Sequence, residues 1–177
     1  MNEHHLGTLA GLRISVIPLA ALGTFLIWAV FVGLGTQVLG LSLGVAVLGG
    51  VLAVVLHWLS EIVHNLGHAW AAQRTGYPMT GVRLGIFGVI AQSLYPVDEP
   101  TLPGHVHIQR ALGGPMSSAM LTVLAGLIAQ VAGREGLFGG LAWFFFLENL
   151  LVFLLGACLP LPGLDGGTIL HWLRRMQ

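Results

Sequence analysis

Four polar side chains share one predicted helical face in the middle of an apolar segment. His57, Glu61, His64 and His68 follow one another at intervals of four, three and four residues, and such intervals place side chains on the same side of an α-helix. Imidazoles at positions i and i+4 can both reach one metal ion, so His64 and His68 form the sharper pair. Because ionisable groups are costly inside a bilayer, this stripe indicates a binding, catalytic or helix-pairing role.

A carboxylate near the C-terminus completes a candidate metal set. Asp165 stands in the stretch Leu-Pro-Leu-Pro-Gly-Leu-Asp-Gly-Gly, residues 159–167. Prolines end a helix and glycines permit a tight turn, so the carboxylate is expected at the end of the last apolar segment. Two imidazoles and one carboxylate are a zinc ligand set that leaves a fourth position for water. His64, His68 and Asp165 therefore form a candidate site for one divalent cation such as Zn²⁺.

The composition excludes most soluble protein classes. Hydrophobic residues make up 55% of the 177 residues, charged residues make up 8%, and mean hydropathy is +0.86. Soluble domains carry about 25% charged residues, and disordered chains combine high charge with low hydrophobicity. Basic and acidic residues balance at seven each, which provides no basic surface for nucleic-acid phosphates. The single cysteine excludes an internal disulfide framework. An integral membrane protein is the class that remains.

Four apolar segments have the length of a membrane-crossing helix, which is about 20 residues. They cover residues 14–34, 41–73, 111–131 and 137–159. Four crossings place both termini on one side of the lipid bilayer, with six of the seven arginines, whereas the other side carries Arg134. Because basic residues favour the cytoplasmic side, we predict a multi-pass protein with both termini in the cytoplasm. All of residues 1–177 are expected to form one membrane domain.

These motifs together resemble the site-2 protease family of intramembrane zinc metalloproteases. The stretch His64-Asn65-Leu66-Gly67-His68 is similar to the family's HExxH signature, and Leu164-Asp165-Gly166-Gly167 is similar to its LDG signature. Further similarities lie at Gly114-Pro115, at the glycine-containing residues 83–88 and at Glu148-Asn149. The resemblance implies zinc at the three predicted ligands and hydrolysis of peptide bonds in membrane-protein substrates.

The resemblance also implies a small β-hairpin between the second and third helices, within residues 76–109. The predicted fold class is therefore an all-α integral membrane protein with four transmembrane helices and this membrane-associated hairpin. A substrate or partner helix, once unwound, could pair with residues 82–92 as an added strand. Gly85 and Gly88 would let its backbone approach closely, and Asn149 is a further predicted substrate-binding residue.

One position departs from the family pattern. Asn65 stands where the family has the glutamate that acts as general base, and an amide cannot transfer protons near neutral pH. Glu61 lies one turn earlier on the same face and is a candidate substitute, although it is also suited to a structural pairing with His57 or an arginine. Glu148, the other carboxylate within an apolar segment, is expected to pair between helices.

Three functions follow from these residues. The first is a zinc metalloprotease with an altered base. The second is a catalytically inactive pseudoprotease that binds a membrane partner without cutting it. The third is a metal- or tetrapyrrole-binding subunit of a membrane complex, because a tetrapyrrole iron needs an axial imidazole and the histidine stripe supplies several.

Overall fold

Helices dominate the computed structural model of the chain, which describes residues 3–176. Helix α1 spans Leu19–Gln37, α2 Leu43–Arg74, α3 Gly104–Ala132, α4 Gly136–Glu148 and α5 Asp165–Arg175, and α4 continues into a π-helix over Asn149–Gly156. Within the described residues, α1, α2, α3 and the combined α4–π segment are long and apolar enough to cross a membrane. Their outward faces carry large exposed apolar side chains such as Phe25, Val123 and Leu127, as expected for helices surrounded by lipid.

A four-stranded sheet at one end of the helices corrects the all-α prediction. Its strands are β1 His4–Leu9, β2 Leu12–Val16, β3 Gly81–Ile86 and β4 Ile90–Leu94, in the order β1-β2-β3-β4. The predicted hairpin exists as β3 and β4, but it is the outer half of a larger sheet. The predicted start of the first membrane helix at residue 14 is wrong, because residues 14–16 belong to β2 in the N-terminal half of the sheet. Instead, Ile14 pairs with Val82 of β3, and helix α1 begins only at Leu19.

The pairing of β2 with β3 explains why the sheet lies at one end of the helices. These two strands are parallel, and the chain between them consists of α1 and α2. The antiparallel helices carry the chain away from the sheet and back to the same end. A buried apolar cluster joins the sheet to the end of α2; it contains Leu12, Ile14, Ala72, Met79, Val82 and Leu84.

Helix α2 packs closely against α3 through small residues. A Cβ atom on Gly67 would collide with the backbone oxygen of Gly113, and a Cβ atom on Gly113 would collide with the backbone of Gly67. Close approach of two backbones at glycine is a common means of membrane helix packing. This contact brings the polar face of α2 directly against the part of α3 around Gly114, where the candidate metal centre lies.

Candidate metal centre

The three predicted ligands converge. His64 Nε2 lies 3.2 Å from Asp165 Oδ2, His68 Nε2 lies 3.4 Å from Asp165 Oδ1, and the two Nε2 atoms are 3.1 Å apart. One donor atom from each residue can be chosen so that all three lie within 4.8 Å of one another. The last half of α2 supplies both imidazoles, and the first residue of α5 supplies the carboxylate from 101 positions away in the sequence.

The outer ring nitrogens of both histidines have protein partners. His68 Nδ1 lies 2.8 Å from the backbone oxygen of Arg110, and His64 Nδ1 lies 2.9 Å from Ser118 Oγ. The Arg110 carbonyl can only accept a hydrogen bond, and its contact with Nδ1 is shorter than the 3.2 Å contact that the Gly114 amide makes with the same atom. The shorter contact favours a proton on Nδ1 of His68, which leaves the Nε2 lone pair directed to the centre. The Ser118 hydroxyl can accept from His64 in the same way. Such outer partners orient metal-binding histidines in known sites.

This donor set fits a divalent cation. With both Nε2 lone pairs directed inward, two nitrogens and a carboxylate crowd around one point as acceptors, and a cation relieves their mutual repulsion. Imidazole and carboxylate donors with three protein ligands suit Zn²⁺. The absence of a side chain at Gly114 of α3 makes room for the two imidazoles, because a Cβ atom there would overlap the Nε2 atoms of both histidines. The residues present therefore fit the predicted metal.

A glycine-supported turn places Asp165. The Gly166 amide donates to the backbone oxygen of Ala157 at 2.8 Å, which ties the start of α5 to the end of the π-helix. A Cβ atom on Gly166 would collide with the Cys158 backbone oxygen, and one on Gly167 with that of Leu161.

The rest of the α2 stripe holds strand β4 rather than the metal. Glu61 Oε2 accepts a hydrogen bond from the Ala91 amide at 3.0 Å, and His57 Nε2 lies 2.8 Å from the Val89 backbone oxygen. The amide oxygen of Asn65 accepts from Ser93 Oγ at 2.9 Å. Four helical residues rise about 6 Å and two strand residues about 6.6 Å. Helix positions 57, 61 and 65 therefore match positions 89, 91 and 93 one to one, of which 89 lies in the turn before β4 and the other two in β4 itself.

The two predicted acid–base positions are Asn65 and Glu61, and the side chains of both form hydrogen bonds with β4. Asn65 also donates from Nδ2 to the Glu61 backbone oxygen at 2.9 Å, so both ends of its amide have partners. Both residues line the cavity that contains the metal ligands, and both are buried.

Glu148 pairs with His57 between α4 and α2, with His57 Nδ1 2.7 Å from Glu148 Oε1. Asn149 is fully buried, and its Nδ2 donates to Ser60 Oγ and to the Phe145 backbone oxygen. It does not appear among the described residues that line the metal cavity. A role for Asn149 in substrate binding stays a prediction.

The two glycines predicted to admit a substrate lie against α1. Gly85 and Gly88 have φ angles of 97° and 87°, a backbone region that favours glycine. A Cβ atom on Gly85 would collide with Ala20, and Gly88 lies against Gly23. Their placement brings the hairpin onto the first helix, and their part in substrate binding stays a prediction.

A cavity of about 1050 Å³ opens beside the metal ligands. Its walls include strand β4, the end of the π-helix and the loop that carries Tyr95. Burial raises the pKa of Tyr95 to about 12, so its phenol stays protonated at neutral pH. The cavity thus combines a metal donor set, a hydrogen-bond donor and a strand edge.

Arg110 is the residue that sequence reasoning passed over. Its guanidinium bonds to both Glu99 carboxylate oxygens and the Tyr77 backbone oxygen, and it lies 4.2 Å from the centre of the Tyr95 ring. Arg110 therefore fixes the loop between β4 and α3, while its own carbonyl orients His68. The sequence does contain a signal for this role. Arg110 stands just before the glycine-rich start of an apolar segment, and an arginine buried there needs several hydrogen-bond acceptors.

Comparisons with known proteins agree at the level of fold. No protein-family model and no curated protein matches the sequence. Among solved structures, the site-2 protease from Methanocaldococcus jannaschii is similar with a TM-score of 0.63 and 15% sequence identity. The match covers 99% of this chain and 73% of that protein. The chain therefore has the fold of a site-2 protease, built on four apolar helices characteristic of a multi-pass membrane protein.

Proposed function

We propose that this chain is a zinc-binding membrane pseudoprotease, which holds an extended segment of a membrane polypeptide beside its metal centre without cutting it. The likeness to a site-2 protease supports the choice of a polypeptide ligand. The convergence of His64, His68 and Asp165 supports the metal. The cavity joins that centre to strand β4, which is one of the two edge strands of the sheet, and an edge strand is where a further strand can be added.

The two hydrogen bonds of the Asn65 side chain are the observation on which the proposal rests. This side chain donates to the Glu61 backbone and accepts from Ser93, so the position that bears a general base in HExxH enzymes serves here to join helix and strand. General acid–base catalysis needs a group that gains and loses a proton. The Asn65 amide neither gains nor loses a proton near neutral pH, and both of its ends are already hydrogen-bonded.

The residues around the metal have separate tasks in this function. His64, His68 and Asp165 hold the ion, which would polarise a carbonyl oxygen of the bound segment. Ser118 and the Arg110 carbonyl keep the imidazoles oriented. Because a helix conceals its backbone groups in its own hydrogen bonds, the segment must be extended to reach both the metal and the strand.

A zinc metalloprotease with Glu61 as its base is the second candidate function. Glu61 lines the same cavity as the metal ligands, and it lies on the same helical face as Asn65, four residues earlier. A carboxylate that reached a metal-bound water could act as the base that Asn65 cannot supply. The two functions differ in what the unaltered protein does to a bound segment.

One reconstitution experiment separates these functions. The zinc-loaded protein in lipid nanodiscs is mixed with a single-span model substrate, and a photo-crosslinker replaces the exposed Gln92 of β4. We expect cross-linking without cleavage for the unaltered protein, and zinc-dependent cleavage for Asn65→Glu. Failure to cross-link would overturn segment binding. Zinc-dependent cleavage by the unaltered chain, lost in Glu61→Gln with zinc retained, would establish the second candidate, and a visible absorption band from a bound tetrapyrrole would displace both.

A further inference from the structure

The edge of β4 that faces the cavity is partly closed by the protein itself. Strand β4 ends the sheet order, so only one of its two edges has a strand partner. The Ala91 amide faces the other edge, because it donates to Glu61 on α2. In a strand, the N–H and C=O groups of one residue point to the same edge, and those of the next residue point to the opposite edge. Residues 91 and 93 of β4 therefore present their backbone groups to the open side, and the carbonyl of Val89, in the turn before β4, reaches His57 on that side.

The three α2 contacts with these residues are not equivalent. Asn65 accepts a hydrogen bond from the Ser93 hydroxyl, so this contact does not use the backbone groups of Ser93. His57 binds the Val89 carbonyl, which has a second lone pair. Glu61 binds the Ala91 N–H, and an N–H has a single hydrogen to give. Of the three contacts, that of Glu61 alone uses up a group that an added strand must have.

We infer that Glu61 is a latch on the β4 edge, and that an extended polypeptide pairs with β4 only by displacing this carboxylate from the Ala91 amide. The incoming group is a main-chain carbonyl of the segment, which takes the hydrogen that Glu61 gives up. This inference rests on the proposed binding of an extended segment. It adds the residue that controls access and the strand position at which pairing begins.

Glu61 and an incoming main-chain carbonyl compete for the Ala91 amide. Without a bound segment, the state in which Glu61 holds this amide is the stable one. The bond between Glu61 and the Ala91 amide is already formed within the folded chain, so one incoming carbonyl, which only exchanges one acceptor for another, does not displace Glu61 by itself. Pairing must gain further bonds along residues 91–93, which requires a segment with several extended residues. A segment that remains helical supplies no such row of bonds and is therefore rejected.

Displacement also changes the cavity. Glu61 is buried and lines the same cavity as His64 and Asp165, so the released carboxylate remains there. Glu99, another carboxylate on the cavity wall, stays bound to Arg110. Segment docking thus frees one specific acid beside the metal donors, and it leaves the His57 and Asn65 contacts in place to hold the strand.

The test combines amide hydrogen exchange with peptide binding. The full chain in nanodiscs is compared with Glu61→Ala, which opens the latch, and Glu61→Gln, which keeps an acceptor without charge. Glu148→Gln is the matched control, because that carboxylate contacts His57 but has no hydrogen bond to β4. The probe is a synthetic peptide of alternating valine and threonine with lysine at both ends, a composition that favours extended structure.

Two measured changes are expected. Exchange of the Ala91 amide should speed up about 10- to 100-fold in Glu61→Ala, less in Glu61→Gln, and not in Glu148→Gln. The peptide should bind Glu61→Ala about 10- to 100-fold more tightly than the unaltered chain, and it should restore protection of the Ala91 amide. Restored protection identifies β4 as the place of binding.

Distinct results would count against the latch and against the proposed function. Unchanged exchange at Ala91 in Glu61→Ala, or equal peptide affinity for both proteins, overturns the latch while leaving segment binding intact. If the peptide binds neither protein and the model substrate also fails to cross-link at Gln92, segment binding falls and the latch falls with it. Circular dichroism of each variant confirms that the helices are folded, so that faster exchange reports the local contact.

Discussion

The amide oxygen of Asn65 accepts a hydrogen bond from Ser93 Oγ at 2.9 Å, while the Asn65 amide nitrogen donates to the Glu61 carbonyl. This pair of bonds needs both a donor and an acceptor on one side chain. An ionised carboxylate has acceptors only, so a glutamate here could not make both bonds. Asn65 is therefore chemically matched to holding β4 against α2 in a way that a glutamate at this position is not.

Ser118→Ala should weaken zinc binding about 10- to 100-fold, because it removes the outer partner of His64. Ser117→Ala is the matched control. The Ser117 hydroxyl bonds to backbone oxygens of Gly114 and Val63 rather than to an imidazole. Competition with a chromophoric chelator gives both affinities, and equal affinities for the two variants would show that Ser118 does not orient the ligand.

Gly114→Ala should abolish stoichiometric zinc binding while the helices remain folded. The new methyl group would overlap Nε2 of both His64 and His68, which are the atoms offered to the metal. Gly33→Ala provides the comparison, because no atom lies within 4 Å of a Cβ built there. Metal analysis of the purified variants is the measurement, with circular dichroism as the folding check. Full zinc content in Gly114→Ala would place the ion elsewhere.

The pair formed by Glu99 and Arg110 should make stability depend on pH. Hydrogen bonds from Arg110 hold the pKa of Glu99 below its usual range. The folded state therefore gains from this pair above the ordinary carboxyl pKa of about 4.3 and loses that gain as pH falls through the lowered value. Thermal unfolding should show Glu99→Gln less stable than the unaltered chain at neutral pH, and the difference should shrink in acid.

The neighbouring Asp98 is exposed and provides the control for this pH experiment. Asp98→Asn should leave the acid dependence of the unaltered chain in place. A difference between Glu99→Gln and the unaltered chain that stays constant across the pH range would show that the carboxyl charge does not anchor the loop.

The buried pair of His57 and Glu148 should show strong coupling between helices. Glu148→Leu leaves the His57 Nδ1 atom without this partner, and His57→Phe strands a buried carboxylate that already has an unpartnered Oε2. Each change should cost about 3–5 kcal/mol of unfolding free energy, because it leaves a buried polar group uncompensated. The double variant should cost less than the sum, and denaturant titration in micelles measures the cycle. Additive costs would contradict the coupling.

Much of the architecture could be predicted from composition and periodicity. The four membrane helices follow from long apolar runs, and the polar stripe on α2 follows from intervals of three and four residues. Pairing of Glu148 between helices was expected from the cost of a carboxylate in the bilayer, and it is seen with His57. The approach of Asp165 to the two histidines matches the expected ligand set, because the motif resemblance supplied a long-range contact that periodicity cannot.

The remaining features depend on partners that are far apart in the sequence. The apolar Ile14 extends the predicted first helix into strand β2, and nothing nearby in the sequence indicates that Ile14 pairs with Val82. The hydrogen bond from the Ala91 amide to Glu61 could not be predicted for the same reason. A short strand is stabilised by its neighbour across the sheet more than by its own residues, so local pattern is a poor guide to it.

The parallel contact between β2 and β3 also sets an order of assembly. During synthesis, β1 and β2 can form a local hairpin early, but β3 emerges only after α1 and α2 have been made. The sheet therefore closes after the chain has left its starting side and returned, and failed insertion of either helix would strand the N-terminal hairpin on its own. The complete sheet therefore requires that both α1 and α2 are in place, and it can form before Asp165 has been synthesised.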